Sequence, residues 1–231
     1  MAKDVVSFYD EDGNIRTYTL EYLDEGTLSK VYKISDTECI KIFNEEYLSI
    51  YDIKALKRLR DFKLDDFYCI LDFLFGADSL FRSYTMKFCK EEDINILTMP
   101  TSYTLDNLYR LFNSFNTLSK EGIYVDDVGS NNVIMDEKNI TVIDADLFSY
   151  GTGHEKKSFI AKKNYRLLLY LFSDIYFREL RKLKGMNGGM ISDMLYDLFD
   201  VNKNIGNVEK RLIKYKYPID YFKGVSKKYG D

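Results

Sequence analysis

Four polar side chains stand where apolar patterning would otherwise continue. Lys41 sits inside the strand-like run CIKIF, Asp127 and Asn132 lie five residues apart in VDDVGSNNVIM, and Asp144 closes the apolar run TVI. An ammonium, two carboxylates and an amide are the set that phosphoryl transfer from ATP requires. A lysine holds phosphate oxygens as a point charge. A carboxylate and an amide oxygen are hard ligands for Mg²⁺, which keeps its other octahedral places for phosphate and water. A second carboxylate can orient the attacking hydroxyl and accept its proton. Taken singly, each residue also has a plain reading. Lys41 could face solvent on an edge strand, Asp127 and Asn132 could be turn residues, Asp144 could cap a turn, and Gly26 could be an ordinary hairpin glycine. Asp126 with Asn131 repeats the five-residue spacing and rivals Asp127 as the base. Asn132 directly precedes the strand-like VIM, which places its amide at a strand mouth and favours Asp127.

Other chemistries find little support. The single imidazole, His154, lies in the glycine-containing GTGHEKK, so no histidine triad or zinc site can be assembled around it. Three cysteines (Cys39, Cys69 and Cys89) stand in apolar surroundings without metal spacing, which points to buried thiols in a reducing, cytoplasmic setting. Acids outnumber bases 37 to 33, a net charge of −4, so no global field draws nucleic acid or an anionic membrane. The basic clusters at Lys54, Lys57, Arg58 and Arg60, at Lys156 and Lys157, and at Lys227 and Lys228 read as solvated helix faces. The opening MAKDVVSFYDEDG turns acidic before any apolar core of a secretory signal. The most apolar stretch, Leu167 to Phe177, is broken by Ser173 and Asp174 and falls short of the ~20 residues a membrane span needs.

The 231 residues suffice for one large domain or two small lobes. VVSFY, the turn DEDGN and IRTYTLEYL form a hairpin signature, and SKVYKI, ECIKIF, CILDFLFG and SLFRSYTMKF read as further strands. Helical spacing runs through Ile53, Leu56 and Leu59, and again from Leu105 to Leu118, after which Gly122 sits where a left-handed C-cap belongs. Two short strands flank DEKN. From Asn164 onward the pattern is helical. The order is β-rich, then α-rich, joined by a polar connector near residues 87–93.

From about residue 20 to about residue 148 the chain resembles the protein-kinase-like fold. EGTLSKVYKI resembles the glycine-rich strand–turn–strand over the phosphates, with Gly26 in the turn and Val31 on the adenine. CIKIF resembles the third-strand motif, which makes Lys41 the phosphate-binding lysine. A helix over about residues 48–60 resembles the regulatory helix, with Asp52 where a Glu normally pairs that lysine. SYTMKFCK resembles the strand entering the hinge, making Met86 the gatekeeper and setting the Phe88 backbone against the adenine edge. VDDVGSNNVIM resembles the catalytic loop, with Asp127 the base and Asn132 a metal ligand. IDADLF resembles the metal-binding segment, with Asp144 the ligand, Ile143 beside the nucleotide, and Ala145 and Asp146 in place of the usual Phe and Gly.

The resemblance implies an α+β, two-lobed architecture. Residues 1–87 would form an antiparallel β-rich N-lobe with one helix, 88–93 the hinge, and 94–231 a mainly helical C-lobe. The latter would carry the catalytic loop 125–132 and metal segment 144–146. It implies ATP and Mg²⁺ as cofactors and a hydroxyl acceptor, a protein Ser or Thr before a small molecule, with no nucleic-acid or membrane partner. Departures give rivals their footing. Asp24 and Ser29 replace two of three glycines, Asp52 is shorter than Glu, and Gly129 removes a basic residue near the transferred phosphoryl. No Ala-Pro-Glu segment follows Asp144. A nucleotide-binding pseudokinase or scaffold, a small-molecule kinase and a purely structural interaction protein are the alternatives.

Overall fold

A computed structural model describes residues 4–68, 70–90, 95–126, 128–136, 138–144, 147–151, 157–199 and 205–229. It divides into two compact units, Met1–Lys90 with Asp146–Tyr150, and Glu91–Ala145 with Gly151–Asp231.

Six antiparallel strands build the first unit: β1 (Asp4–Tyr9), β2 (Ile15–Glu25), β3 (Ser29–Lys33), β4 (Glu38–Phe43), β5 (Ile70–Phe75) and β6 (Phe81–Lys87). Their order is β1-β2-β3-β4-β6-β5, and the sheet closes on itself as a barrel. An antiparallel sheet was expected; its closure was not. The closing contact is a single pair, Tyr9 opposite Phe75. Register shifts between Tyr22 and Asp24 in β2, and along β5, sharpen the coil enough to bring the edges together. The β1–β2 turn forms where DEDGN predicts it. Asp10 accepts the amides of Asp12 (3.0 Å) and Asn14 (2.8 Å), and Gly13 takes the left-handed φ of +82° that the turn demands.

Strand alternation gives the sheet two distinct faces. Leu20, Ile40 and Leu74 fill the barrel interior, with Val6, Phe8, Tyr18, Tyr32, Ile34 and Ile42 packed against them. The opposite face carries an aromatic layer: Phe43 lies 4.1 Å from Tyr51 and 5.6 Å from Tyr84, centroid to centroid, and Tyr68 stacks on Tyr84 at 5.7 Å. Helix α1 (Ile53–Phe62) buries Ala55, Leu56 and Leu59 and sets Lys57 and Arg60 over the Phe73 ring, at 5.8 and 4.8 Å. The helix expected over residues 48–60 is in fact two pieces. A 3₁₀ stretch, Glu45–Ile50, precedes it, and Tyr51 and Asp52 are not helical. Buried Tyr51 anchors the break, and Asp52 caps α1 by accepting from the amides of Lys54 (3.0 Å) and Ala55 (3.1 Å).

The second unit holds α2 (Thr101–Lys120), the short strands β7 (Ile123–Tyr124), β8 (Val133–Met135) and β9 (Ile140–Val142), and helices α3 (Lys157–Leu180), α4 (Gly188–Leu198), α5 (Ile205–Leu212) and α6 (Pro218–Tyr229). Gly122 ends α2 at φ +81°, as its position predicts. Leu108, Leu111 and Phe115 of α2 and Leu168, Phe172 and Ile175 of α3 are buried, while Tyr176 packs on Phe199 and Phe222, both at 5.5 Å. Helix α3 starts seven residues before Asn164, and α6 opens with Pro218 at its first position, a helix start signal. The thiols differ from expectation too: Cys39 is buried, Cys89 only half-buried, and Cys69 lies outside the described residues. Among the described residues no helix is long and apolar enough to cross a membrane.

Candidate functional site

Lys41 is 3% exposed, and β4 runs between β3 and β6, so the solvent-facing edge-strand reading fails. Ile40 and Ile42 point into the barrel, which turns Lys41 to the face covered by α1. Directly across from it stand Val31 on β3 and Tyr84 on β6. Val31 is thus beside the lysine. Met86, half-buried, shares this face through its pairing with Cys39. Burying a lysine is costly without compensating interactions.

Three other first-unit candidates have defined surroundings, and one of them, Asp52, departs from the expected role. Gly26 closes the β2–β3 turn, donating to Ser29 O at 2.9 Å, with no left-handed backbone and open space where a Cβ would stand, so the fold does not require glycine there. Phe88 donates its amide to Thr37 O at 2.8 Å, which leaves only its carbonyl for an adenine edge. Asp52, expected within the regulatory helix as the partner of Lys41, is its N-cap. Its second oxygen accepts the amide of Tyr150 at 3.2 Å, tying α1 to the segment Asp146–Tyr150. Phe148 of that segment is buried against Phe67, 5.7 Å between centroids.

In the second unit, the sequence VIM-DEKN-ITV folds as a β8–β9 hairpin with Val133 opposite Val142, Ile134 opposite Thr141 and Met135 opposite Ile140. At its open end the ladder gains one more bond, Ile143 N to Asn132 O at 2.8 Å. Asn132 therefore faces Ile143 across the mouth, and Asp144 follows at once. The hairpin register thus brings two candidate ligands, twelve residues apart in sequence, to the same end of the hairpin. Asp144 holds φ +57°, a conformation that a non-glycine residue adopts at a cost of ~1–3 kcal/mol and that clusters at functional positions. Carboxylate and amide oxygens at one hairpin mouth are a donor set suited to Mg²⁺. Among the described residues no cluster of three His, Cys, Asp or Glu side chains forms a metal site.

Helix α2 carries the far end of this hairpin on one face. Tyr103 OH donates to Asp136 O (2.9 Å) and Asn139 O (3.2 Å), Asn107 Oδ1 accepts the Ile140 amide (3.0 Å), and Arg110 donates to Asn139 Oδ1 (2.9 Å). Asp136 in the turn is pushed up by burial, but the amides of Lys138 and Asn139 win and hold its carboxyl below the usual range.

The loop before β8 is held from α3. Asp174 Oδ2 accepts the Ser130 amide at 2.9 Å, and Arg178, one turn on, donates to Ser130 O at 3.4 Å. Asn164 is 1% exposed and satisfies three groups: it accepts the Val125 amide (3.0 Å) and donates to Ile123 O (2.9 Å) and Ser119 Oγ (2.9 Å). Sequence reasoning missed these supports. Asp174 carried a signal, since it interrupts the most apolar stretch of the chain, yet it read only as a bar to membrane insertion. Asp126 and Asn131 are exposed. Asp127, Ala145 and Asp146 lie outside the described residues.

No family model matches the chain, and no curated protein matches it either. Among solved structures it is similar to a Legionella pneumophila kinase, Lpg2603, determined bound to IP6. The two are 15% identical, the match covers 74% of this chain and 68% of that one, and the TM-score is 0.48. At that score the likeness does not define a shared fold.

Proposed function

We propose that the chain is an ATP- and Mg²⁺-dependent phosphotransferase of the protein-kinase-like kind, transferring the γ-phosphoryl group to a Ser or Thr hydroxyl of a protein. The observation that supports this reading is the β8–β9 hairpin mouth, where Asn132 accepts the Ile143 amide and a left-handed Asp144 follows in the chain. Lys41 would contact the α- and β-phosphates, with Val31, Met86, Ile143 and the Phe88 carbonyl around the nucleotide. Asn132 and Asp144 would hold Mg²⁺, which supplies charge neutralisation on the phosphate oxygens. Asp127 would orient the acceptor hydroxyl and take its proton as the bond from phosphorus to the ADP oxygen breaks and that to the acceptor forms. Catalysis of this kind is positioning and electrostatics rather than covalent chemistry.

One observation favours a second reading, nucleotide binding without turnover: the Asp52 carboxylate is committed to three backbone amides. Radiolabelled ATP with generic protein acceptors separates the two. Label transfer by the wild type that is lost in Asp127→Asn supports the enzyme. A melting shift with Mg²⁺-ATP, worth ~2.7 kcal/mol at a hundred times the dissociation constant, but without transfer, supports the second. No shift in the wild type rejects both.

A further inference from the structure

The outer side of α3 displays Phe159, Lys162, Lys163, Arg166 and Tyr170. Their spacing of i, i+3, i+4, i+7 and i+11 puts them on one helical face. All five are exposed, Phe159 at 48% and Tyr170 at 59%, while Ile160, Asn164, Leu168 and Leu171 on the opposite side are buried. From Lys157 to Ser173 there is no acidic residue, in a chain where acids outnumber bases. Several bases elsewhere are matched: Lys57 and Arg60 by Glu11, Arg82 by Glu45 and Asp78, Arg211 by Asp197. Among the described residues Lys162, Lys163 and Arg166 have no such carboxylate.

The stripe also has a defined neighbour. The Lys163 ammonium lies 4.7 Å from the Tyr124 ring centroid and 5.5 Å from that of Phe159. The next residue, Asn164, holds the Val125 amide at 3.0 Å. The cationic face thus borders the chain that leads into the loop of Asp127 and Asn132.

We infer that this face docks the phosphate acceptor, and that the acceptor is an acidic peptide segment; the acceptor role rests on the phosphotransfer reading above. Three cations would meet carboxylates, and the terminal rings would cover the peptide's apolar parts. Eleven residues of helix span ~16 Å, which matches about five residues of extended peptide at ~3.3 Å each. A long polyanion fits less well, because the net charge of −4 repels it beyond the stripe. A bilayer fits less well because the apolar side of α3 is buried and the exposed face offers only the rings of Phe159 and Tyr170 at its two ends.

The test uses a fluorescein-labelled peptide with a central Ser flanked by Asp and Glu, a Lys/Arg-flanked counterpart, and phosphatidylserine vesicles. The wild type should bind the acidic peptide selectively, with affinity falling as salt rises. Lys162→Glu/Arg166→Glu should weaken it about tenfold or more, and Lys162→Gln/Arg166→Gln by less, with far-UV dichroism and the Mg²⁺-ATP melting shift unchanged. Equal binding of both peptides, indifference to the double substitution, or preference for vesicles would overturn the inference. Selective peptide binding without any Mg²⁺-ATP response keeps an acidic-peptide dock and rejects the phosphotransfer reading with the acceptor role. A Mg²⁺-ATP response without peptide selectivity does the reverse.

Discussion

Asn164→Ala removes the side chain that secures the approach to the catalytic loop, and its cost follows from the bonds it makes. The Val125 amide and the Ile123 carbonyl lose their Asn164 partner in a buried setting, where an unsatisfied group costs ~1–3 kcal/mol. Ser119 Oγ keeps its bond to Phe115 O at 2.7 Å, so the third loss adds little. The sum is ~2–6 kcal/mol, a large share of the ~5–15 kcal/mol that holds a domain folded. For a chain of this size each kcal/mol moves the melting temperature by ~2–4 °C, which gives a fall of ~4–24 °C. The chain has no Trp, so unfolding in urea and heat is best followed by far-UV circular dichroism. Asn164→Asp supplies the control. It keeps an acceptor for Val125 but sets a carboxylate oxygen against the Ile123 carbonyl. Burial and that contact favour the protonated form, so this variant should be most stable in acid and lose stability as pH rises above the ordinary carboxyl range. An alanine variant within ~0.5 kcal/mol of wild type, the usual scatter of surface substitutions, would refute the reasoning.

Three further outcomes are expected. Asp52→Ala should lose ~1 kcal/mol of helix capping and speed hydrogen exchange at the Tyr150 amide, whereas Asp52→Ser should keep the cap and still free that amide; identical behaviour of the two would count against it. The Asp10 carboxyl is held below its usual range, chiefly by the Asn14 amide and with help from Arg16. Its contribution is therefore complete above about pH 4 and lost as pH falls through the lowered value, and Asp10→Asn should flatten the urea midpoint below about pH 4; an unchanged slope there would reject it. Burial pushes the Cys39 thiol up to about 12, so iodoacetamide should label half-buried Cys89 first and Cys39 only on unfolding; equal native rates by peptide mass mapping would contradict this.

Much of the first unit could be read from local pattern. The DEDGN turn, the alternation in ECIKIF and the helical spacing of Ile53, Leu56 and Leu59 are signals carried within a few residues, and each element formed where its signal lay. Gly122 did the same for the end of α2. The division of Glu45–Phe62 into a 3₁₀ piece and a capped helix could not be read that way. Buried Tyr51, packed on Phe43, breaks the helical run, and Asp52, whose Oδ2 also takes the Tyr150 amide, caps the helix that follows.

The sequence by itself determined which residue types were available for phosphoryl chemistry and in what order, because a lysine inside an apolar strand and an aspartate closing an apolar run are local anomalies. Tertiary structure alone decided the surroundings of those it describes. It buried Lys41 by running β4 between two neighbours, and it joined Asn132 to the residues before Asp144 through a hairpin register. It also closed the sheet into a barrel through Tyr9 and Phe75. Register, closure and burial come from contacts between residues far apart in the chain, and the free energy of such contacts is not written in any local run.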